Sequence, residues 1–388
     1  MKTLKILSAV GARPNFMKIA PFIRALENHA DTTVAFEHVL VHTGQHYDDA
    51  MSDSFFRTLG IPHPDENLGI GSGTHAEQVG RTMIAFEQIL PRHNPDWVIV
   101  VGDVNATCAC SITAKKQNIR VAHIEAGLRS FDMTMPEEIN RLVTDRLSDL
   151  LLTPDAISTA NLLREGVAPA RLRNVGNIMI DTLDANHAAA AALSLDKLIA
   201  TKLIAGQRLP DSVAPRGPYA VLTLHRPATV DDRPTMTALV QYLINEFSNE
   251  LPLIWTLHPR TRARLESFGL WQPVRECPNI VLVEPLDYLE MLRLNMAATL
   301  MLTDSGGLQE ECCVLGTPCL TLRDNTERPI TLEEHGGVSR LVGNKVEPLR
   351  AAVHSLRGRP RRPFRPPLWD GATAPRIVQA IAEASTNS

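Results

Sequence analysis

No paired CxxC spacing links the six cysteines, Cys108, Cys110, Cys277, Cys312, Cys313 and Cys319, and no histidine stands near them in a zinc-ligand pattern. A metal module is thereby excluded, and a reduced, intracellular protein is expected. Long hydrophobic runs are missing too. Nowhere do about 18 apolar residues follow one another, the length a membrane-spanning helix needs. Met1–Val10 lacks the charged head and cleavage site of a signal peptide and reads as a short apolar strand. A large net charge is also absent. The formal value of -4 carries no broad attraction to nucleic acid or anionic membrane, so local groups must hold any phosphate. What is present is an ordinary globular composition, 44% apolar and 21% charged, which excludes disorder for most of the chain. At 388 residues the chain exceeds what one growing core accommodates, so two domains with a cleft between them are expected.

Short runs rich in Val, Ile and Leu alternate with longer helix-period segments. Strands are expected at Leu4–Val10, Val39–His42, Trp97–Val101 and Val121–Ile124. After an alanine-rich helical stretch near Asp181–Ala205 the pattern restarts, with strands at Ala220–Leu224, Leu253–Leu257, Ile280–Val283 and Thr299–Thr303. This alternation predicts parallel sheets with crossover helices in two halves joined near Val175–Leu183. The arginine- and proline-rich segment RGRPRRPFRPP, Arg357–Pro367, reads as a solvated connector, followed by a last helix at about Ala374–Ala384.

In both halves an apolar strand ends in aspartate, small residues follow, and a helix begins: VIVVGDVNAT at Asp103 and TLMLTDSGGLQEE at Asp304. Ligands of open α/β sheets lie at such strand ends, although helix N-capping explains each aspartate alone. The DSGG turn combines glycines that admit close backbone approach with the free amides of a helix start, a phosphate-binding arrangement. Glu311 falls in the first turns of that helix, suited to ribose hydroxyls. Arg328, in RDNTERP, suits an anionic ligand or else a surface ion pair with Glu327. GARPNFMK follows the first strand and places Arg13 and Lys18 where cations would neutralise phosphate, against the alternative that an early-turn lysine is simply solvated. Carboxylates follow at Asp103, at Glu125 in HIEAGLR, and at Glu137 in MPEEINR, where Glu137 also suits the helix dipole and a pair with Arg141. His225, in LTLHRP, follows a strand and suits proton donation to a leaving phosphate.

Taken in order, GARPNFMK, TGQHYD, GDVNAT, HIEAGLRS, MPEEINRLVTD, VGNIMIDTL, LHRP, PLDYLEML, TDSGGLQEE and RDNTERP resemble the non-hydrolysing UDP-N-acetylglucosamine 2-epimerases over almost the whole chain. The resemblance implies an α/β protein of GT-B type, two Rossmann-like domains with parallel sheets and an interdomain cleft. The N-terminal domain would be residues 1–178, with a C-terminal helix of about 372–388 packing back on it, and the UDP-binding domain residues 179–371. It implies a cytoplasmic homodimer that takes a UDP-sugar and needs no cofactor and no metal. Asp103, Glu125, Glu137 and His225 match the family's catalytic positions, and Arg13, Lys18, Ser305, Gly306, Gly307, Glu311 and Arg328 its substrate-binding positions. Gln45 and His46 match an activator-binding segment, beside which Tyr47 and Asp48 depart from the family pattern. Leu286 and Met291 depart where Gln and Phe are usual, and Cys312 and Cys313 stand where Ala-Pro is common and read as small helix fillers.

The implied reaction eliminates UDP from C1 and the proton from C2, then re-adds UDP after protonation on the other face. Its competitors are a hydrolysing epimerase, an epimerase of a related UDP-N-acetylated uronic acid, a GT-B glycosyltransferase and a non-catalytic UDP-sugar sensor.

Overall fold

A computed structural model describes residues 2–30, 34–44, 60–207, 217–356 and 358–386. The chain divides into one unit of Met1–Thr182 with Pro366–Ser388, and a second of Leu183–Arg365.

The first unit is built on a seven-stranded sheet of β1 (Lys2–Val10), β2 (Val34–His42), β3 (Glu66–Asn67), β4 (Trp97–Val101), β5 (Arg120–Ile124), β6 (Leu150–Thr153) and β7 (Leu172–Asn174). Its order is β3-β2-β1-β4-β5-β6-β7, and every pairing is parallel. The central strands are apolar on both faces because helices cover both, and Trp97–Val101 is buried throughout. The C-terminal helix Thr373–Thr386 belongs to this unit. Asp181 accepts the Thr373 and Ala374 amides at 3.1 and 2.8 Å, supplying the first turn of that helix with acceptors, and the Trp97 indole donates to Ser385 at 2.8 Å.

The second unit repeats the plan with β8 (Ala220–Thr223), β9 (Leu253–Thr256), β10 (Ile280–Val283), β11 (Leu300–Thr303), β12 (Cys319–Thr321) and β13 (Ser339–Leu341). The order is β10-β9-β8-β11-β12-β13, again all parallel. In each sheet the strand order reverses beside the first strand, so each unit has its own switch point: between β1 and β4 in one, between β8 and β11 in the other. Both are doubly wound, Rossmann-like sheets.

The eight strands expected from the sequence are all present, within a few residues at their ends. The strands not anticipated, β3, β6, β7, β12 and β13, are only two to four residues long, too short to announce themselves by periodicity. Cys312 and Cys313 are fully buried beside Cys319 in the second core, and Leu286 and Met291 pack against it. The connector arginines have partners: Arg361 donates to the carbonyl oxygens of Leu315, Asn295 and Ala298 at the ends of two helices, and Arg365 chelates Asp184 at 2.6 and 2.9 Å. Among the described residues no helix is long and apolar enough to cross a membrane.

Candidate functional site

The first unit's candidates gather where β1, β4 and β5 end. After β1, the Asn15 side chain accepts the Gly11 and Ala12 amides at 3.2 and 3.0 Å and donates to the Val101 carbonyl at 2.9 Å, tying the first turn of the helix Arg13–Glu27 to the end of β4. Arg13 opens that helix. Lys18, one turn further on, is buried rather than solvated and is salt-bridged to Glu125 Oε2. The second carboxylate oxygen of Glu125, Oε1, is buried with no hydrogen-bond partner among the described residues. Glu125 also has a φ of 73°, a left-handed conformation rare for a residue with a long side chain. Strain of this kind persists only where the surroundings enforce it, and it collects at functional sites.

Several groups enforce it. The amides of Glu125 and Ala126 both donate to the Leu152 carbonyl, at 3.1 and 3.2 Å. Gly127 follows at φ 83°, where a Cβ would lie 2.3 Å from the Ser158 carbonyl oxygen, so only glycine passes. Beneath the turn, Asp145 accepts the Gly127 amide at 3.0 Å, His123 Nδ1 at 2.6 Å and Arg129 at 2.7 Å, while His123 Nε2 lies 2.9 Å from the Gly102 carbonyl. Asp145 and its three neighbours, Gly127, His123 and Arg129, form a buried clamp under the Glu125 loop. His123, Arg129 and Asp145 were not singled out from the sequence, because polar residues that meet only in the fold leave no pattern in it.

Asp103, after β4, is not a helix cap; Val104 occupies that position. Its carboxylate is salt-bridged to the buried Arg141, and its carbonyl accepts from Asn140 at 2.9 Å. Arg141 turns its other edge to Glu138, with contacts of 3.0 and 2.6 Å. The expected pair of Arg141 with Glu137 is replaced by this one. Glu138 also accepts the Ser130 amide and hydroxyl and the Phe131 amide, each at 3.0 Å. Burial raises the Glu138 carboxyl, but these amides and Arg141 outweigh it and hold it below the usual carboxylate range. Glu137 is half-buried on the first turn of the helix Pro136–Leu147 and has no hydrogen-bond or ion-pair partner among the described residues. Glu138 is therefore the anchored neighbour, and Glu137 the carboxylate without a partner among the described residues.

In the second unit the candidates stand after β8 and β11. His225 Nδ1 lies 2.7 Å from Asp304, which also accepts the backbone amides of His225 and Arg226 at 2.9 and 2.7 Å. Asp304 is thus a clamp on the β8 loop and not a helix cap. The helix Gly306–Leu315 starts at Ser305, whose side chain makes no capping bond to the first-turn amides. The two glycines differ. At Gly306 a Cβ would lie 2.5 Å from Glu327 and 2.6 Å from Arg328, whereas at Gly307 nothing lies within 4 Å. Gly306 lets a buried ion cluster press against the backbone, and Gly307 leaves the helix start open.

That cluster contains the alternative pairing of Arg328 with Glu327, but buried and not at the surface. Arg328 is buried, salt-bridged to Glu327 and 2.8 Å from Glu310, and Glu327 is held in turn by Arg323 at 2.7 Å. Glu311, in the second turn of the helix, has no ion-pair partner among the described residues. Burial, reinforced by the neighbouring Glu310, pushes its carboxyl up to about 8, and its Oε2 has no partner among the described residues. Tyr288 is also buried near it, and its hydroxyl has no partner among the described residues.

The Glu311 carboxyl carries a stability consequence with a definite sign. Its folded value lies above its ordinary 4.5, so between pH 4.5 and 8 the folded protein binds more protons than the unfolded chain. Stability drains away as pH rises through that window, by on the order of a few kcal/mol. Glu311→Gln should remove this loss. Its melting temperature relative to the native protein is expected to climb steadily from pH 5 to pH 8 in paired scanning calorimetry; a difference that stays flat would contradict the buried neutral acid.

Gln45 and His46, with Tyr47 and Asp48, lie outside the described residues. Among the described residues no group of three or more His, Cys, Asp or Glu side chains is arranged to hold a metal ion.

Comparison with known proteins agrees with this geometry. The family model described as UDP-N-acetylglucosamine 2-epimerase matches residues 27–382. A UDP-N-acetylglucosamine 2-epimerase of Methanocaldococcus jannaschii is 41% identical over 380 residues, covering 97% of this chain and 99% of that one. A UDP-2,3-diacetamido-2,3-dideoxy-D-glucuronate 2-epimerase of Pseudomonas aeruginosa is 40% identical over 328 residues, 84% of each chain. Among solved structures, the Methanocaldococcus jannaschii UDP-GlcNAc 2-epimerase in complex with UDP-GlcNAc and UDP superposes with a TM-score of 0.86 at 40% identity, covering 98% of this chain and 100% of that one. The architecture is GT-B.

Proposed function

Because the chain belongs to the UDP-N-acetylglucosamine 2-epimerase family, we propose that it inverts C2 of UDP-N-acetylglucosamine to give UDP-N-acetylmannosamine, by elimination of UDP and re-addition. The observation that carries this reading is Glu125: a carboxylate in a strained loop at a strand end, tied to Lys18 through one oxygen and, among the described residues, without a partner at the other.

The chemistry explains why such groups are needed. The C2 hydrogen is not adjacent to a carbonyl, and a carboxylate cannot remove it from an unperturbed sugar. Departure of UDP leads. As the C1–O bond stretches, positive charge spreads onto the ring and acidifies C2, while the open start of the Gly306 helix and His225 stabilise the leaving diphosphate. A carboxylate then takes the C2 proton, giving 2-acetamidoglucal. Protonation at C2 from the other face and return of UDP to C1 complete the inversion, so more than one acid/base group is needed. Asp103, Glu125 and Glu137 are the groups proposed for those transfers, with Arg13, Lys18, Ser305, Gly307 and Glu311 binding the substrate. Arg328 enters through the wall it builds behind Gly306. We further take the enzyme to be a homodimer, as the family resemblance implies, and cytoplasmic, a compartment that suits its free cysteines.

The test is proton NMR of the purified protein with UDP-N-acetylglucosamine in deuterium oxide. The expected product is UDP-N-acetylmannosamine carrying deuterium at C2. Free N-acetylmannosamine with UDP would mark a hydrolysing enzyme. An inert UDP-N-acetylglucosamine beside a turned-over diacetamido-glucuronate nucleotide would move the assignment to the substrate of the Pseudomonas aeruginosa relative. Unlabelled product would overturn the proton abstraction.

A further inference from the structure

The proposed mechanism uses His225 but leaves unexplained what fixes it, and the structure contains an arrangement that does so. Asp304 has no exposed surface, while the His225 side chain keeps 36% of its own. One oxygen of Asp304 stands 2.7 Å from His225 Nδ1, and the other accepts the His225 and Arg226 amides at 2.9 and 2.7 Å. The carboxylate therefore holds the backbone at His225 by two hydrogen bonds and stands within ion-pair distance of the His225 ring. An acceptor at Nδ1 keeps a proton on that nitrogen and makes Nε2 the ring atom left for a ligand.

A second imidazole stands beside the first with the opposite arrangement. His258 caps the helix Pro259–Ser267, its Nδ1 accepting the Arg260 amide at 3.2 Å, which assigns its proton to Nε2. The two ring centroids are 5.8 Å apart. Burial, with the nearby His225, holds His258 below the ordinary histidine value, so it remains a neutral donor. The charged groups facing the rings are Asp304 at the end of β11 and Arg260 on the His258 helix.

We infer that Asp304 is a positioning residue of the epimerisation: it locks His225 through Nδ1 and through its amide, so that Nε2 is the atom that meets the diphosphate. A histidine free to rotate or to exchange tautomers would present the proper nitrogen only part of the time. The inference rests on the reading that His225 acts on the leaving group. It extends that reading to a residue whose side chain is sealed from substrate.

The experiment combines kinetics with nitrogen NMR on the full-length protein and on the Asp304→Asn, His225→Asn and doubly substituted variants. Asp304→Asn is expected to lower kcat on the order of 10²–10³-fold with KM changed by less than about threefold. The double variant should be no slower than His225→Asn within about threefold, because a residue acting only through His225 has nothing further to lose. In the native spectrum, coupling to the ring proton should place it on His225 Nδ1. Unchanged kcat in Asp304→Asn, or losses that multiply in the double variant, would overturn the inference and make Asp304 a purely structural clamp. So would a native His225 protonated at Nε2 alone. If Asp304→Asn does not fold, the native spectrum decides by itself. A native protein that turns over no UDP-sugar refutes the functional reading instead, and the spectrum still judges the positioning.

Discussion

Replacement of Glu125 by glutamine is expected to lower kcat by ~10³-fold and to abolish deuterium incorporation at C2 to the same extent, the range in which loss of a positioned acid/base group falls. Glutamine keeps the shape of the side chain, and the Leu152 carbonyl, Gly127 and Asp145 contacts that set the loop involve other atoms, so the left-handed turn should survive. What disappears is the ability to hold and release a proton. Because the open start of the Gly306 helix and His225, the groups proposed to stabilise the leaving diphosphate, belong to the other unit, affinity for UDP measured by calorimetry should change by less than about threefold, separating loss of chemistry from loss of fold. A variant that keeps kcat within about tenfold of native would remove Glu125 from the mechanism and pass its role to Asp103 or Glu137.

Arg141→Met should be the most destabilising single change in the first unit. One buried guanidinium serves both Asp103 and Glu138, and its removal strands Glu138 with its side chain only 2% exposed. Leaving a buried charge unpaired costs about 3–5 kcal/mol, which for a unit of this size lowers the melting temperature by ~6–20 °C. Adding Glu138→Gln to Arg141→Met should restore part of that stability, since the glutamine leaves no charge to strand, and should not restore activity, since Asp103 still lacks its anchor. Scanning calorimetry of the three proteins tests this. A double variant no more stable than Arg141→Met alone would show that the cost lies in lost packing around the arginine stem, not in the buried carboxylate.

Legibility in the sequence differed by the range over which each feature is determined. Local pattern was sufficient for the alternation of apolar strands and helices, for the aspartates at the ends of β4 and β11, and for the open glycine-rich helix start, because each is written within about ten consecutive residues. The same locality explains the failures. In MPEEINR both glutamates are within reach of Arg141, at three and four residues, and helical spacing permits either pair. The choice of Glu138 is made by the Ser130 and Phe131 amides, which a loop delivers to it. Lys18 reads as a solvated lysine until the sheet brings Glu125 to it from 107 residues away. Arg328 reads as a surface cation until Glu310 folds against it.

Taken alone, then, the sequence determined two α/β halves of parallel strands with crossover helices and which strand ends carry polar side chains, since burial periodicity and turn chemistry act between neighbours along the chain. Tertiary structure decided which of those side chains find partners among the described residues and which do not: Glu138 bound and Glu137 without a partner, Asp304 sealed and His225 accessible, the Glu311 carboxyl raised by burial. Those outcomes depend on desolvation and on partners brought from distant segments, and both come into existence only when the chain has closed around them.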